Sequence, residues 1–544
     1  MKVSKNLHIL SIIVDCVFFC GKFETPLRGH DESSDSLNPG VFRGLIDLAG
    51  SLNEDMKIHL ETSTVFKGYS KTIQNDILGS VLKVYQEQIV YEVSQAPFLA
   101  VMADDTTDVS EVTQMVIVIR YLLKGRIVER FWGYFNPEST NAEGLSKCLM
   151  EQLEIIVGPD KTKLISQTYD GASVMKGIRG GVQVKVRDVY SYAWYTHCYA
   201  HQLNLILSKA GRATSGSRVF FTNIDGIPSF FSQSPCRLLV ANEHLNARVP
   251  RPSGTRWNFH ERTVSVIYKN VEPLKNCFKQ LQLGEFTDET SLKAGGFLNY
   301  FEKEEFLFWL NLFGKIMPHV KILYDQMQAR NLTVDKVKKN IDFFKSSIES
   351  IRNSSLTSHN LPSLSAEGKE VCDNIIVKLA SRYSFSDHLM LAQLFDKERF
   401  GEYKSKFPDD IINLVPKCFP MVDHKKLKDE LKVFYGRVEM HCSKLTDLLA
   451  FFLNDNLSTA FSAIVSLLQI LITIPMTTSE PERCFSTLNR IKNFLRSSMK
   501  QDRLNSLGVL SVNKDIVTRC PSFKEKVMQH FIGSKNRRMD FTYK

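Results

Sequence analysis

The chain is 544 residues long, which at about 150 residues per domain makes roughly three or four domain-sized units. Its 43% hydrophobic and 24% charged residues resemble soluble globular chains and exclude collagen, coiled-coil and wholly disordered classes. The excess of 69 Lys and Arg over 59 Asp and Glu, a net charge of +10, permits a polyanionic partner without demanding one.

Leu7–Phe19 (LHILSIIVDCVFF) is apolar, but Asp15 interrupts it and Lys22, Phe23 and Glu24 follow where a cleavage site would need small residues. A buried amphipathic helix ending near Gly21 is expected, with no membrane partner. Phe42, Leu45, Ile46, Leu48 and Leu52 carry helical spacing after the polar stretch Arg28–Gly40, so residues 1–92 form a helical lead-in. Eleven cysteines scattered from Cys16 to Cys520, with no C-x-x-C pair, point to reduced thiols rather than a disulfide scaffold.

From Pro97 the period changes. Phe98–Ala103 is a continuous apolar run that stops at Asp104 and Asp105, as a strand buried on both faces would end. Val116–Leu123 and Ile127–Phe135, joined by Lys124-Gly125, predict an antiparallel hairpin beside it. Thr140-x-x-Glu143 has the form of a capping box, and Leu145, Leu149, Leu153 and Ile156 carry the helix to Gly158-Pro159. Lys163–Tyr169 then predicts a fourth strand running into Asp170, and Trp194–Cys198 a fifth before the helix Ala200–Leu207.

The order β-β-β-α-β-α-β-α, with a right-handed crossover, sets the fourth strand parallel to the first and brings Asp104 to Asp170 at neighbouring strand ends. This is the arrangement of a ribonuclease-H-like fold. Residues 93–219 form the first part of this α/β core, 220–440 an all-α insertion with long 3.6-type patterns such as Phe301–Met327 and Val334–Arg352, and 441–544 the C-terminal remainder. That remainder predicts helices over Phe461–Ile474, Ser479–Arg496 and Leu504–Leu510.

Five segments in this order, Ala103–Ser110 (ADDTTDVS), Gln167–Met175 (QTYDGASVM), His197–Leu205 (HCYAHQLNL), Thr255–Asn258 (TRWN) and Ser479–Leu488 (SEPERCFSTL), resemble the hAT superfamily of DNA transposases. The closest branch is similar to zinc-finger MYM-type transposase-derived proteins, and the resemblance spans roughly Arg28 to Asp515. It implies a ribonuclease-H-like mixed sheet interrupted by a large all-α insertion, with helical N-terminal and C-terminal segments and a C-terminal dimerisation region. It also implies a catalytic acid set of Asp104, Asp170 and Glu482 that binds Mg²⁺ or Mn²⁺, since hard cations take carboxylate oxygens. Strand-end aspartates are also ordinary turn residues, and Ser479-x-x-Glu482 is also a capping box; Asp105 and Asp108 match the first acid less well, and Glu480 is the alternative third acid.

In the family the C-x-x-H pattern lies beside the active site, which implies a phosphate-directed role for His201, while Cys198 fits packing. A half-buried, satisfied histidine is the plainer alternative. No second ligand pair lies near Cys198 and His201, so no zinc is expected. Arg256 and Trp257 resemble the pair that contacts the transposon end, where a guanidinium binds phosphate and an indole stacks on a base. The basic run Arg483, Arg490, Lys492, Arg496, Lys500 and Arg503 reads as a solvated helix face, and Phe485, Leu488, Ile491 and Leu495 as its apolar stripe.

The function expected from the resemblance is Mg²⁺-dependent DNA cleavage and strand transfer by a nuclear, self-dimerising, DNA-binding protein. The alternative is a domesticated or decayed transposase-derived nuclear protein that dimerises and binds DNA or proteins without catalysis. The opening 90 or so residues hold only Cys16 and Cys20 and thus no four-ligand zinc module, so end recognition is expected to be lost or supplied elsewhere.

Overall fold

The hairpin around Lys124-Gly125 is built as its sequence predicts: both turn residues take positive φ, 50° and 75°, the geometry that matches strand twist in a two-residue turn. It belongs to a five-stranded sheet of β1 (Leu99–Thr107), β2 (Thr113–Leu123), β3 (Arg126–Phe135), β4 (Leu164–Tyr169) and β5 (Trp194–His197). The order is β3-β2-β1-β4-β5, with β1 antiparallel to β2, β2 antiparallel to β3, and β1 parallel to β4. The computed structural model describes residues 2–33, 35–250, 258–354, 362–383, 385–437, 442, 444–454 and 457–542.

Two compact units divide the chain: 1–196 with 419–431 and 446–544, and 197–418 with 432–445. In the first, the sheet packs into one core with the helix Lys2–Lys22 (Ile9, Leu10, Ile13, Val14, Val17), the helix Lys71–Gln95 (Ile77, Val81, Tyr85, Ile89) and the C-terminal helices (Leu488, Ile491, Leu504, Leu510, Phe531). Lys2–Lys22 is long and apolar enough by composition to cross a membrane, and half of its most apolar window is buried in this unit. Gly508 allows the helix Gln501–Val512 to lie on β3, because a Cβ there would stand 2.9 Å from the Phe131 ring and 3.0 Å from the Tyr134 ring.

After the end of β5 at His197, the regular structure of the second unit's described residues is helical, with a core of packed rings around the helix Glu304–Met327. Phe220 stacks on Phe313 at 5.4 Å, and Phe221 meets Phe313 edge-on at 4.5 Å.

Three local expectations need correction. β1 continues through Asp104 and Asp105 to Thr107, because its antiparallel ladder with β2 runs on, Asp104 opposite Val116 and Asp105 opposite Met115. The helix Ala142–Val157 is capped by Asn141, whose side chain accepts from Gly144 N–H, and not by Thr140. The basic run is not one helix: Ser479–Ile491 ends, Asn493 caps a short 3₁₀ turn Phe494–Arg496, and a new helix starts at Gln501.

Candidate functional site

The parallel ladder between β1 and β4 ends with Met102 opposite Thr168. Two residues further along each chain are Asp104 and Asp170, so the register carries the two aspartates to the same edge of the sheet. Asp104 still lies in β1, fixed by β2 on its other side, while Asp170 has just left β4. Its carboxylate accepts from Ala172 N–H at 3.1 Å and its carbonyl from Tyr195 O–H at 2.9 Å, which fixes the loop in place.

Glu482 stands in the first turn of the helix Ser479–Ile491. This helix packs against β1 and β2 and is pinned on both sides. Before it, Thr168 Oγ1 of β4 donates to Pro475 O at 2.8 Å; within it, Tyr134 O–H donates to Cys484 O at 2.6 Å; just after it, Lys492 Nζ reaches Asp108 at 2.5 Å. The capping-box geometry is not formed, since Thr478 takes the N-cap position without a side-chain cap bond and Ser479 is the first helical residue. Glu480, the alternative third acid, is buried and ion-paired to Arg483 at 2.6 Å.

The electrostatics join the three acids. Burial, then the charges of Asp170, Glu482 and Asp105, push the Asp104 carboxyl well above the usual carboxylate range, against one lowering bond from Asp105 N–H. Burial, then Asp170, also raises Asp105. The side chains of Asp104 and Asp170 take part in no ion pair among the described residues. Like charges gathered without an internal cation make an environment that a hard divalent ion would balance, and the donors are oxygens. Among the described residues, no three His, Cys, Asp or Glu side chains are drawn close enough to ligate one ion together. The donor chemistry thus fits a divalent cation, and ligation would require the side chains to turn inward on their fixed backbones.

Asp108 has the opposite surroundings. It accepts from Ser110 N–H at 2.7 Å, from Val112 N–H at 3.3 Å, and from Gln114 Nε2 at 3.0 Å, besides Lys492. Burial would raise its carboxyl, but Lys492 and these donors outweigh it and hold the group below the usual range.

His201 belongs to the helical unit, in the helix Tyr199–Ala210, with its ring 6.0 Å from that of His197; Cys198 is buried at the start of that helix. Arg256 and Trp257 lie outside the described residues. Sequence reasoning missed the burial of Lys492 and its pairing with Asp108. A lysine 384 positions from its partner leaves no local signal.

Residues 2–181 match a family described as the ZMYM1/FAM200, RNase-like domain, and residues 434–516 match the hAT family C-terminal dimerisation region. Among curated proteins the chain is similar to the human "52 kDa repressor of the inhibitor of the protein kinase", 25% identical over 245 residues, which is 44% of this chain and 32% of that protein. The mouse protein of the same description is 24% identical over 244 residues, with the same coverage. The chain thus spans about a third of the length of the curated relatives it matches. An RNase-like domain followed by a hAT dimerisation region marks the chain as hAT-transposase-like.

Proposed function

We propose that this hAT-transposase-like chain has a ribonuclease-H-like core interrupted by an α-helical insertion, that Asp104, Asp170 and Glu482 hold Mg²⁺ or Mn²⁺ for phosphoryl transfer on DNA, and that it acts in the nucleus as a homodimer. One observation carries the reading: the β1–β4 register and the pinned helix Ser479–Ile491 bring three acids within electrostatic reach, and neither aspartate has a cationic partner among the described residues. The sheet order β3-β2-β1-β4-β5 and the RNase-like match over residues 2–181 support the core assignment.

Mg²⁺ or Mn²⁺ held by these acids would stabilise the charge on the attacking and leaving oxygens of an in-line displacement. The chain itself supplies rigidity. Asp104 is held in the β2 ladder, Asp170 is locked by Ala172 N–H and Tyr195 O–H, and Glu482 rides on a helix tied to β3 and β4, so the backbones that carry the three acids are fixed and only the side chains would turn to take the ions. In this reading His201 donates a hydrogen bond to a phosphate oxygen, Arg256 binds phosphate, and Trp257 stacks on an exposed base.

The second reading is a non-catalytic nuclear protein that binds DNA or proteins. It is favoured by the three acids not yet being drawn to ligating distance and by relatives whose printed description is that of a repressor. Incubating the full chain with supercoiled DNA and Mg²⁺ or Mn²⁺ separates the two. Nicking that disappears in Asp104→Asn and Asp170→Asn supports the enzyme, because the amide keeps the shape but lacks the charge that holds the ions. DNA binding with no metal-dependent nicking in either metal selects the second reading.

A further inference from the structure

The basic run that the sequence presents as one solvated face divides in two in the fold. Arg483 pairs with Glu480, Arg490 with Glu24, and Lys492 with Asp108. The remaining three, Arg496, Lys500 and Arg503, turn toward a cavity of about 960 Å³ in the first unit, where Arg28 from the loop after the first helix joins them.

Among the described residues, no carboxylate forms an ion pair with any of these four side chains. Arg28 has its Nε buried with no hydrogen-bond partner among the described residues, and Lys500 makes no side-chain hydrogen bond to any of them. Among the described residues, Arg503 donates to the amide oxygen of Asn75, at 2.6 Å, and Arg496 to the backbone carbonyls of Glu24 and Ile491, and to no other group. Asp502 lines the cavity and closes no ion pair among the described residues. Glu32, the other acid near Arg503, lies 3.8 Å from Lys71. Burial, then the like charge of Arg28, lowers Arg503 to about 10, with Glu32 opposing, and burial lowers Arg496 with Glu24 opposing.

The helix Gln501–Val512 begins at this cavity. Its N-cap, Lys500, makes no side-chain cap bond, so the first-turn N–H groups and the positive end of the helix dipole add to the four cations. Forked guanidiniums together with helix N–H groups are the donor set that tetrahedral oxyanions take.

We propose that this cavity is a binding site for a compact, multiply charged phosphate anion, held by Arg28, Arg503 and Lys500 at the start of the helix Gln501–Val512. The concave shape favours a small ligand over a duplex. A duplex presents its phosphates as two continuous rows along grooves about 12 and 6 Å wide, whereas these cations converge on one cavity instead of lining a stripe along which a backbone could run.

The test is calorimetric titration of the full chain with inorganic tripolyphosphate at low ionic strength, beside Arg28→Gln and Lys500→Gln. Neither side chain makes a hydrogen bond or ion pair among the described residues, so both variants are expected to keep the fold. Binding by the parent chain that weakens about tenfold in each variant is the expected result, with a smaller loss for orthophosphate, which offers fewer oxygens. A single-stranded oligonucleotide forms the second arm: if tripolyphosphate displaces it, a nucleic-acid backbone is one source of the phosphate and the site stands. No tripolyphosphate binding at millimolar concentration, or equal affinity in the parent and both variants, overturns the proposal, whatever the oligonucleotide does.

Discussion

Asp104 and Asp108 lie four residues apart at the same end of β1, and the fold treats them in opposite ways. Asp108 is surrounded by donors, one of them the ammonium of Lys492, and with its side chain 1% exposed it ties the helix Ser479–Ile491 to the sheet. Asp104 has one N–H bond and three acidic neighbours. The difference separates a carboxylate that holds structure from one whose charge nothing in its surroundings offsets. Composition cannot make that distinction; only the register and the incoming helix do.

The largest effect is expected where that latch is cut. Lys492 is 5% exposed, and Lys492→Met leaves the Asp108 carboxylate buried without its cation, at a cost of about 3–5 kcal/mol read from urea unfolding. The double variant with Asp108→Asn should recover most of the loss, since replacing both charges removes the orphan. A single-variant loss below about 1 kcal/mol would mean that the remaining three donors satisfy Asp108 alone.

A second effect follows from pH. Asp108, Glu24, Asp76 and Asp515 are all held below the usual carboxylate range, in each case by basic partners that outweigh burial. A carboxyl whose folded value is depressed adds stability that is fully present above its unfolded value, about 3.8 for Asp and 4.5 for Glu, and that is lost as pH falls through the folded value. Thermal stability should therefore fall progressively below about pH 4.5, and Asp108→Asn should make that decline shallower. An unchanged acid limb in the variant would refute the latch as its source.

The opposite sign is expected at Asp104. Removing one charge from a cluster of acids relieves repulsion, so Asp104→Asn should stabilise the free chain by about 1 kcal/mol at neutral pH. Millimolar Mg²⁺ or Mn²⁺ should raise the melting temperature of the parent chain and leave that of the variant in place. Destabilisation by Asp104→Asn, with an undiminished metal response, would show that Asp104 is a structural residue like Asp108.

Much of this was legible in the sequence where the signal is local. The hairpin, the parallel fourth strand and the meeting of Asp104 with Asp170 follow from β-branched runs, a Lys-Gly turn and the handedness of crossovers. What stayed hidden depends on partners far along the chain. β1 outlasts its apolar run because β2 continues to pair with it, Asn141 rather than Thr140 caps the crossover helix, and the basic stretch after Arg483 breaks at Asn493 and sends its charges to different partners. Periodicity reports which face is apolar; it does not report which charge meets which.

The smallest effect on stability, and the clearest on assembly, is expected at the break in that basic stretch. The apolar side chains of this stretch mostly face inward: Leu488, Ile491, Leu504, Leu507 and Leu510 belong to the core of the first unit. Phe494 and Leu495 do not; they are 84% and 90% exposed, inside the matched hAT dimerisation region. Two large apolar side chains side by side on a surface mark a contact, and the region they lie in points to a second copy of this chain. Leu495→Glu buries nothing new and breaks no bond, so stability should move by no more than about 0.5 kcal/mol. The dimer should weaken about tenfold or more, because two like charges would be brought together across a symmetric interface. Light scattering over a dilution series reads both states. A parent chain that stays monomeric at tens of micromolar removes self-association altogether, and a variant that dimerises as tightly as the parent moves the interface to another surface of the matched region.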